Sequence, residues 1–139
     1  MKLVLDTNIL VAALIKDSVT REILVHPDIE FLLPEFALEE LETHKAEILI
    51  KSKLSEHQFA LLFEQLKSNI SITPSEEICC KEEAKNIMDI IDSEDTIFIA
   101  LALSVENEGI WSQDKHFQRQ NKVRVFTTKQ LTERLGIEH

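Results

Sequence analysis

Leu3-Val4-Leu5-Asp6-Thr7-Asn8, followed by Ile9-Leu10-Val11-Ala12-Ala13-Leu14-Ile15, is the stretch on which the reading of the fold turns. Residues 2–5 are a largely apolar, β-prone opening, Asp6, Thr7 and Asn8 are each good helix N-caps, and residues 9–15 form an unbroken apolar run. That reads as a strand, a turn and a helix. A second helix over 18–26 stops before Pro27, because the residue preceding a proline is pushed out of helical geometry. A strand over 29–33 is closed by Pro34. Strand, helix, strand is the opening of an α/β pattern.

Outward from there the periodicity is helical. Residues 35–50 contain neither Gly nor Pro, and Ala37, Leu41, His44 and Ile48 recur at spacings of four, three and four, with Glu40 at the margin of that face. Residues 55–68 repeat the signal with Phe59, Leu62, Phe63 and Leu66, and a short strand over 70–72 ends at Pro74. A helix is expected over 76–91. Asp92-Ser93-Glu94-Asp95 then restarts one, with Asp92 or Ser93 as N-cap ahead of residues 96–105 and Gly109 as its end. Strands at 110–112 and 123–126 and a helix at 128–135 before Gly136 complete the chain. Strands separated by helices predict an α/β fold, a three-layer α/β/α sandwich with a mainly parallel central sheet.

With 139 residues, 44% of them hydrophobic, the chain can bury one sizeable core but not two, so a single domain over 1–139 is expected. The N-terminus reaches Asp6 too soon for a secretory signal, and no apolar run, 97–103 included, approaches the ~20 residues a membrane span needs. A cytoplasmic protein without a membrane partner is expected. Cys79 and Cys80 are adjacent, which suits neither a structural disulfide nor a shared metal. Fifteen Lys and Arg against twenty-five Asp and Glu give a net charge of -10, which by itself argues against a phosphate-rich partner. The charge is unevenly spread: residues 115–132 hold five basic residues and no acid, while 76–95 hold eight acids and two lysines. A basic stretch is as often a solvated face as a nucleic-acid surface.

In a parallel sheet, ligands gather beyond the carboxyl ends of the strands. Asp6 follows the first strand and Asp114 follows residues 110–112, while Asp95 in the first turn of an apolar helix and Glu40 in the helix after Pro34 can reach the same rim. Each has a bland explanation: Asp6 as a helix cap, Glu40 as a solvated helix residue, Asp95 as an acid at a helix N-terminus, Asp114 as a turn former. Their joint placement is harder to explain locally. Four carboxylates packed together repel unless a cation relieves them. Oxygen ligands suit Mg²⁺ or Mn²⁺, which would activate water and neutralise charge building on a phosphoryl group.

Leu3-Val4-Leu5-Asp6-Thr7-Asn8, Glu40-Leu41 after Pro34, Asp95 leading Ile97-Phe98-Ile99-Ala100-Leu101-Ala102, and Trp111-Ser112-Gln113-Asp114-Lys115-His116-Phe117 together resemble a PIN domain in order and spacing, over almost the whole chain. The resemblance implies the PIN fold, a metal-dependent ribonuclease cutting RNA to 5′-phosphate and 3′-hydroxyl ends, and a VapC-like toxin role with homodimerisation. It implies an acidic site of Asp6, Glu40, Asp95 and Asp114, with Asn8 and Ser112 hydrogen-bonding carboxylates or substrate and Asp92 as a fifth acid. Glu39 competes with Glu40, and Asp92 with Asp95. Trp111 departs from the smaller aliphatic residue of many such sequences and reads as core. His44 and His116 read as packing or capping residues, since an oxygen-rich site needs no imidazole.

Three functional readings follow. The first is an endoribonuclease, acting either as the toxin of a toxin–antitoxin pair, restrained by a separate antitoxin with a basic segment, or in RNA processing. The second is a non-catalytic PIN-like module binding RNA or protein, motivated by the acidic surplus. The third, an acidic phosphoacceptor of the receiver type, is the weakest, since no lysine stands in a convincing partner position and the long helical middle fits that fold poorly. Charge alone nominates Lys51, Lys53, Arg119, Lys122 and Arg124 as RNA-facing positions.

Overall fold

A computed structural model describes residues 1–88 and 95–137. Five strands, β1 (Lys2–Leu5), β2 (Glu30–Pro34), β3 (Ile70–Thr73), β4 (Ile110–Trp111) and β5 (Val125–Phe126), form one sheet in the order β3-β2-β1-β4-β5, with every neighbouring pair parallel. The helices are α1 (Thr7–Ile15), α2 (Val19–Leu24), α3 (Glu35–Ser52), α4 (Glu56–Leu66), α5 (Lys81–Met88), α6 (Thr96–Ser104) and α7 (Thr128–Leu135). On one side α1 packs with α2, α3 and α4, and α2 with α7; on the other, α5 packs on α6, which lies on β1 and β2. This is the expected three-layer α/β/α sandwich. Among the described residues no helix is long and apolar enough to cross a membrane.

The chain first steps outward from β1 to β2 and β3, then returns to lay β4 on the far side of β1. The strand order therefore reverses between β1 and β4, and a crevice opens beyond their carboxyl ends, the usual ligand position in such sheets. Both strands sit in the core: Leu3, Val4, Leu5, Ile110 and Trp111 are all fully buried. Trp111 packs on Phe31 with ring centroids 5.5 Å apart, and its Nε1–H donates to Thr128 Oγ1 at 3.0 Å, so burial of the indole leaves no donor unsatisfied. Its reading as core holds.

Local chemistry explains most boundaries. Asp6 caps α1 by accepting from the Asn8 amide, and Ser18 caps α2. Ser55 with Gln58 and Thr127 with Gln130 form reciprocal capping boxes on α4 and α7, and Gly136 ends α7 in the left-handed region at φ +69°.

Four expectations are corrected. The helix expected over 76–91 begins at Lys81: a 3₁₀ turn covers Ser75–Glu77, Ile78 is extended, and Cys80 takes φ +62°, so helical geometry cannot run through. Gly109 does not end α6, which stops at Ser104. There Asn107 Nδ2 donates to the carbonyls of Ala102 and Val105. Gly109 instead opens β4 at φ +145°, where an added Cβ would lie 2.5 Å from the Arg124 carbonyl oxygen. The strand expected from 123 covers only Val125–Phe126, because the Gln120 amide takes both the N–H and the C=O of Val123. His44 leaves the buried face formed by Ala37, Leu41 and Ile48; it is exposed, 3.9 Å from Glu47.

Candidate metal centre

The β1–β4 crevice is built on a hydrogen-bond chain joining residues 106 positions apart. Asp6, 3% exposed, accepts from Ser112 Oγ at 2.6 Å through Oδ2 and from the Asn8 amide at 3.3 Å through Oδ1. Ser112, fully buried, in turn accepts the Asp114 amide N–H at 2.9 Å. One hydroxyl thus ties the two carboxylate-bearing loops together. Register makes this possible: Leu5 pairs with Trp111, so the residues that follow, Asp6 and Ser112, leave the sheet side by side.

Asp114 turns back on itself by accepting the His116 amide N–H at 2.9 Å, which brings His116 Nδ1 to 3.4 Å from Asp114 Oδ1. Asp95 occupies the N-cap of α6 without making a side-chain cap bond, and its Oδ2 lies 3.7 Å from the same Nδ1. Asp95, Asp114 and His116 each offer a donor atom within 4.8 Å of the others. With side-chain exposures of 13% and 24%, Asp95 and Asp114 are sheltered yet open enough for a ligand to enter. Glu40 joins from α3: Thr7 Oγ1 donates to its Oε1 at 2.9 Å, holding it against the first turn of α1, one residue past Asp6. Glu39 is exposed on the neighbouring face of α3. Asn8 is exposed at the edge of the crevice. Asp92 and Ser93 lie outside the described residues.

The electrostatics suit a cation. Burial raises the pKa of Asp6 above its ordinary value of 3.8, and the nearby charge of Asp114 adds to the rise; the hydrogen bonds from Ser112 and the Asn8 amide oppose it. A buried anion facing further anions gains from any positive charge placed between them. Carboxylate oxygens with a single imidazole fit a divalent ion of the Mg²⁺–Mn²⁺ class, and the imidazole weights the set toward Mn²⁺.

Two participants escape a reading from the sequence. His116 is set aside there as a packing residue, yet its ring stands between two acids; the cue was its place two residues after Asp114, where a turn through the Asp114 side chain folds it back. Thr7 reads only as a possible cap, whereas its hydroxyl positions Glu40.

Neither the curated proteins nor the solved structures contain a match to the chain at a significant level. The family model for the PIN domain matches residues 4–136, from the third residue of β1 to the glycine that ends α7. With that match over nearly its whole length, the chain belongs to the PIN-domain family, whose members are generally nucleases.

Proposed function

We propose that the chain is a metal-dependent endoribonuclease that hydrolyses RNA phosphodiester bonds, with Mg²⁺ or Mn²⁺ held by Asp6, Asp95 and Asp114 and with Glu40 alongside. Asp92 is the fifth acid of the set and His116 an added nitrogen donor. The observation that carries the reading is the convergence of Asp95, Asp114 and His116 beside buried Asp6 at the strand-order reversal. Left alone, these carboxylates would repel a phosphodiester. A bound divalent ion supplies the missing positive charge and Lewis acidity. The protein's part is positional: Ser112 fixes Asp6 relative to Asp114, Thr7 fixes Glu40, and Asn8 offers an exposed amide to carboxylate or substrate.

We also read residues 1–139 as a single nuclease domain, cytoplasmic and homodimeric, serving as the toxin of a toxin–antitoxin pair or as an RNA-processing nuclease. In the first case a separate antitoxin would cover the acidic crevice with a basic segment. The net charge of -10 favours a second reading, a non-catalytic PIN-like module that binds RNA or protein.

Purified protein incubated with single-stranded and structured RNA separates the two. The nuclease reading expects Mn²⁺-dependent cleavage that EDTA stops and that Asp6→Asn and Asp114→Asn each suppress. Equal cleavage by wild type and variants, or no cleavage together with no calorimetric Mn²⁺ uptake, overturns it.

A further inference from the structure

Beside the carboxylate cluster lies a cleft of about 320 Å³ between the first turn of α3 and helices α5 and α6, lined by Phe36, Ser75, Lys81, Lys85, Thr96 and Ile97. Thr96 directly follows Asp95, so the cleft begins where the acidic cluster ends. We propose that it is a subsite for single-stranded RNA next to the scissile phosphate, with Phe36 stacking on a base and Lys81 and Lys85 holding phosphates; this rests on the nuclease reading.

The charge pattern is the first support. Lys81 and Lys85 are the only two cations in the acidic stretch 76–95, and their spacing of four makes them neighbours on α5, both exposed at the margin of the face that buries Ala84 and Met88. Among the described residues that line this cleft there is no carboxylate; Glu35, next to Phe36 in the chain, is engaged by the amide and hydroxyl of Ser75 at 3.5 Å. Four other clefts of comparable size each carry at least one: Glu42 and Glu64 between α3 and α4, Asp28 near the N-terminus, Asp114 beside α1, and Glu47 between α1 and α3. Lys81 and Lys85 are also exposed and enter no salt bridge among the described residues, whereas Lys51 is held by Glu47 at 2.7 Å and Lys67 by Glu64 at 3.1 Å. Arg124, another position that charge alone nominates, lies over the Phe126 ring at 4.4 Å. Two exposed ammonium groups on one wall, in no salt bridge among the described residues, are what a polyanion would engage.

Phe36 supplies the second support. Its ring is 38% exposed and forms part of the wall of the cleft, within reach of a ligand that enters it. A ring face flanked by cations matches a nucleotide, whose base stacks while its phosphate pairs. Only an unpaired base can offer its face in this way, which selects single strands over duplex. An acidic peptide would satisfy the lysines but leave the ring idle.

The test is fluorescence anisotropy of a labelled oligouridylate on the full chain in Ca²⁺, with Mn²⁺-dependent cleavage of the same oligonucleotide measured in parallel. Phe36→Ala is expected to weaken binding about tenfold, and Phe36→Leu, which keeps apolar bulk without a ring, by a similar factor. Lys81→Ala combined with Lys85→Ala should reduce the slope of log affinity against log salt by about 1.4, two phosphates at roughly 0.7 each. Unchanged affinity and slope while wild type still cleaves would overturn the subsite alone. Absence of cleavage with the expected binding losses would overturn the nuclease reading and leave the strand-binding cleft supported. If polyglutamate displaces the RNA and its binding is insensitive to Phe36→Ala, the cleft is a peptide site and the proposal falls.

Discussion

Asp6→Asn should stabilise the protein without metal and destabilise it, relative to wild type, with metal. Asp6 is 3% exposed, and the burial that raises its pKa outweighs the help it receives from Ser112 and the Asn8 amide. An asparagine keeps the shape of the acid and an Oδ1 able to accept the Ser112 hydroxyl, which donates to Asp6 in the wild type, but it carries no charge to bury. Each unit by which the native pKa exceeds the unfolded one costs about 1.4 kcal/mol at neutral pH. The variant should therefore melt above wild type in EDTA at pH 7, each kcal/mol of relief moving the midpoint of a chain this size by roughly 4 °C. The sign of the pH dependence follows. With its pKa raised in the folded state, Asp6 binds a proton more readily folded than unfolded, so wild-type stability falls as pH rises from about 3.8 through the raised value. The advantage of the variant is therefore full at pH 7 and closes as pH falls toward 3.8. Saturating Mn²⁺ reverses the ranking, since a ligand at a hundred times its dissociation constant adds about 2.7 kcal/mol, or roughly 10 °C, to a protein that binds it. Thermal unfolding followed by circular dichroism in EDTA and in Mn²⁺, from pH 4 to 8, measures all three effects. A variant that melts below wild type in EDTA at pH 7, or gains as much as wild type from Mn²⁺, would refute the reasoning.

Ser112→Ala removes the hydroxyl that joins Asp6 to the Asp114 loop, and should weaken Mn²⁺ binding about 10–100-fold by calorimetry, as loss of an orienting partner commonly does. Unaltered affinity would mean that the two loops hold their positions without it. Gly109→Ala forces a Cβ to within 2.5 Å of the Arg124 carbonyl at a φ of +145°, and should cost about 2–3 kcal/mol in urea unfolding by disturbing the β4–β5 pairing. A loss under about 0.5 kcal/mol, the range of ordinary surface substitutions, would contradict that picture. Cys79 is exposed and its thiol is lowered by a hydrogen bond from Ser104 and by Cys80, whereas Cys80 is raised chiefly by Cys79. Iodoacetamide near neutral pH should therefore alkylate Cys79 first, read by peptide mass mapping; the reverse order would contradict the assignment.

What could be read in the sequence was whatever depends on local rules. The strand–cap–helix opening, the apolar periods of α3 and α4 and the glycine that ends α7 each rest on residues within a few turns of one another, and they placed most helices correctly. Errors arose where a distant or side-chain contact decided. Val123 has the composition of a strand residue, but Gln120 satisfies its backbone before a neighbouring strand can. Residues 76–80 have helical composition, but Cys79 is anchored to Ser104 at the far end of α6, with the Cys79 amide donating to Ser104 Oγ at 2.9 Å. At the candidate site, strand ends and helix starts, visible as such in the sequence, singled out Asp6, Asp114 and Asp95, while Glu40 was singled out by its place at the margin of the apolar face of α3. The imidazole of His116 was not legible, since a turn through the side chain of Asp114 has no periodic signature.

The register of one short strand pair underlies the site. β4 contributes only two residues to the sheet, and a slip of one would send alternate side chains to opposite faces, parting Ser112 from Asp6. Two ladder positions cannot define that register alone. Trp111 does so by filling the core against Phe31 while donating to Thr128, because neither contact survives a shift of one residue. Gly109 does so from the other end, admitting the Arg124 carbonyl where any side chain would collide. The residues that most constrain the carboxylates are therefore two that touch none of them. Burial of the Asp6 charge opposes the closure of β1 on β4, and a cation in the crevice favours it, so metal binding and completion of the sheet should be one coupled equilibrium.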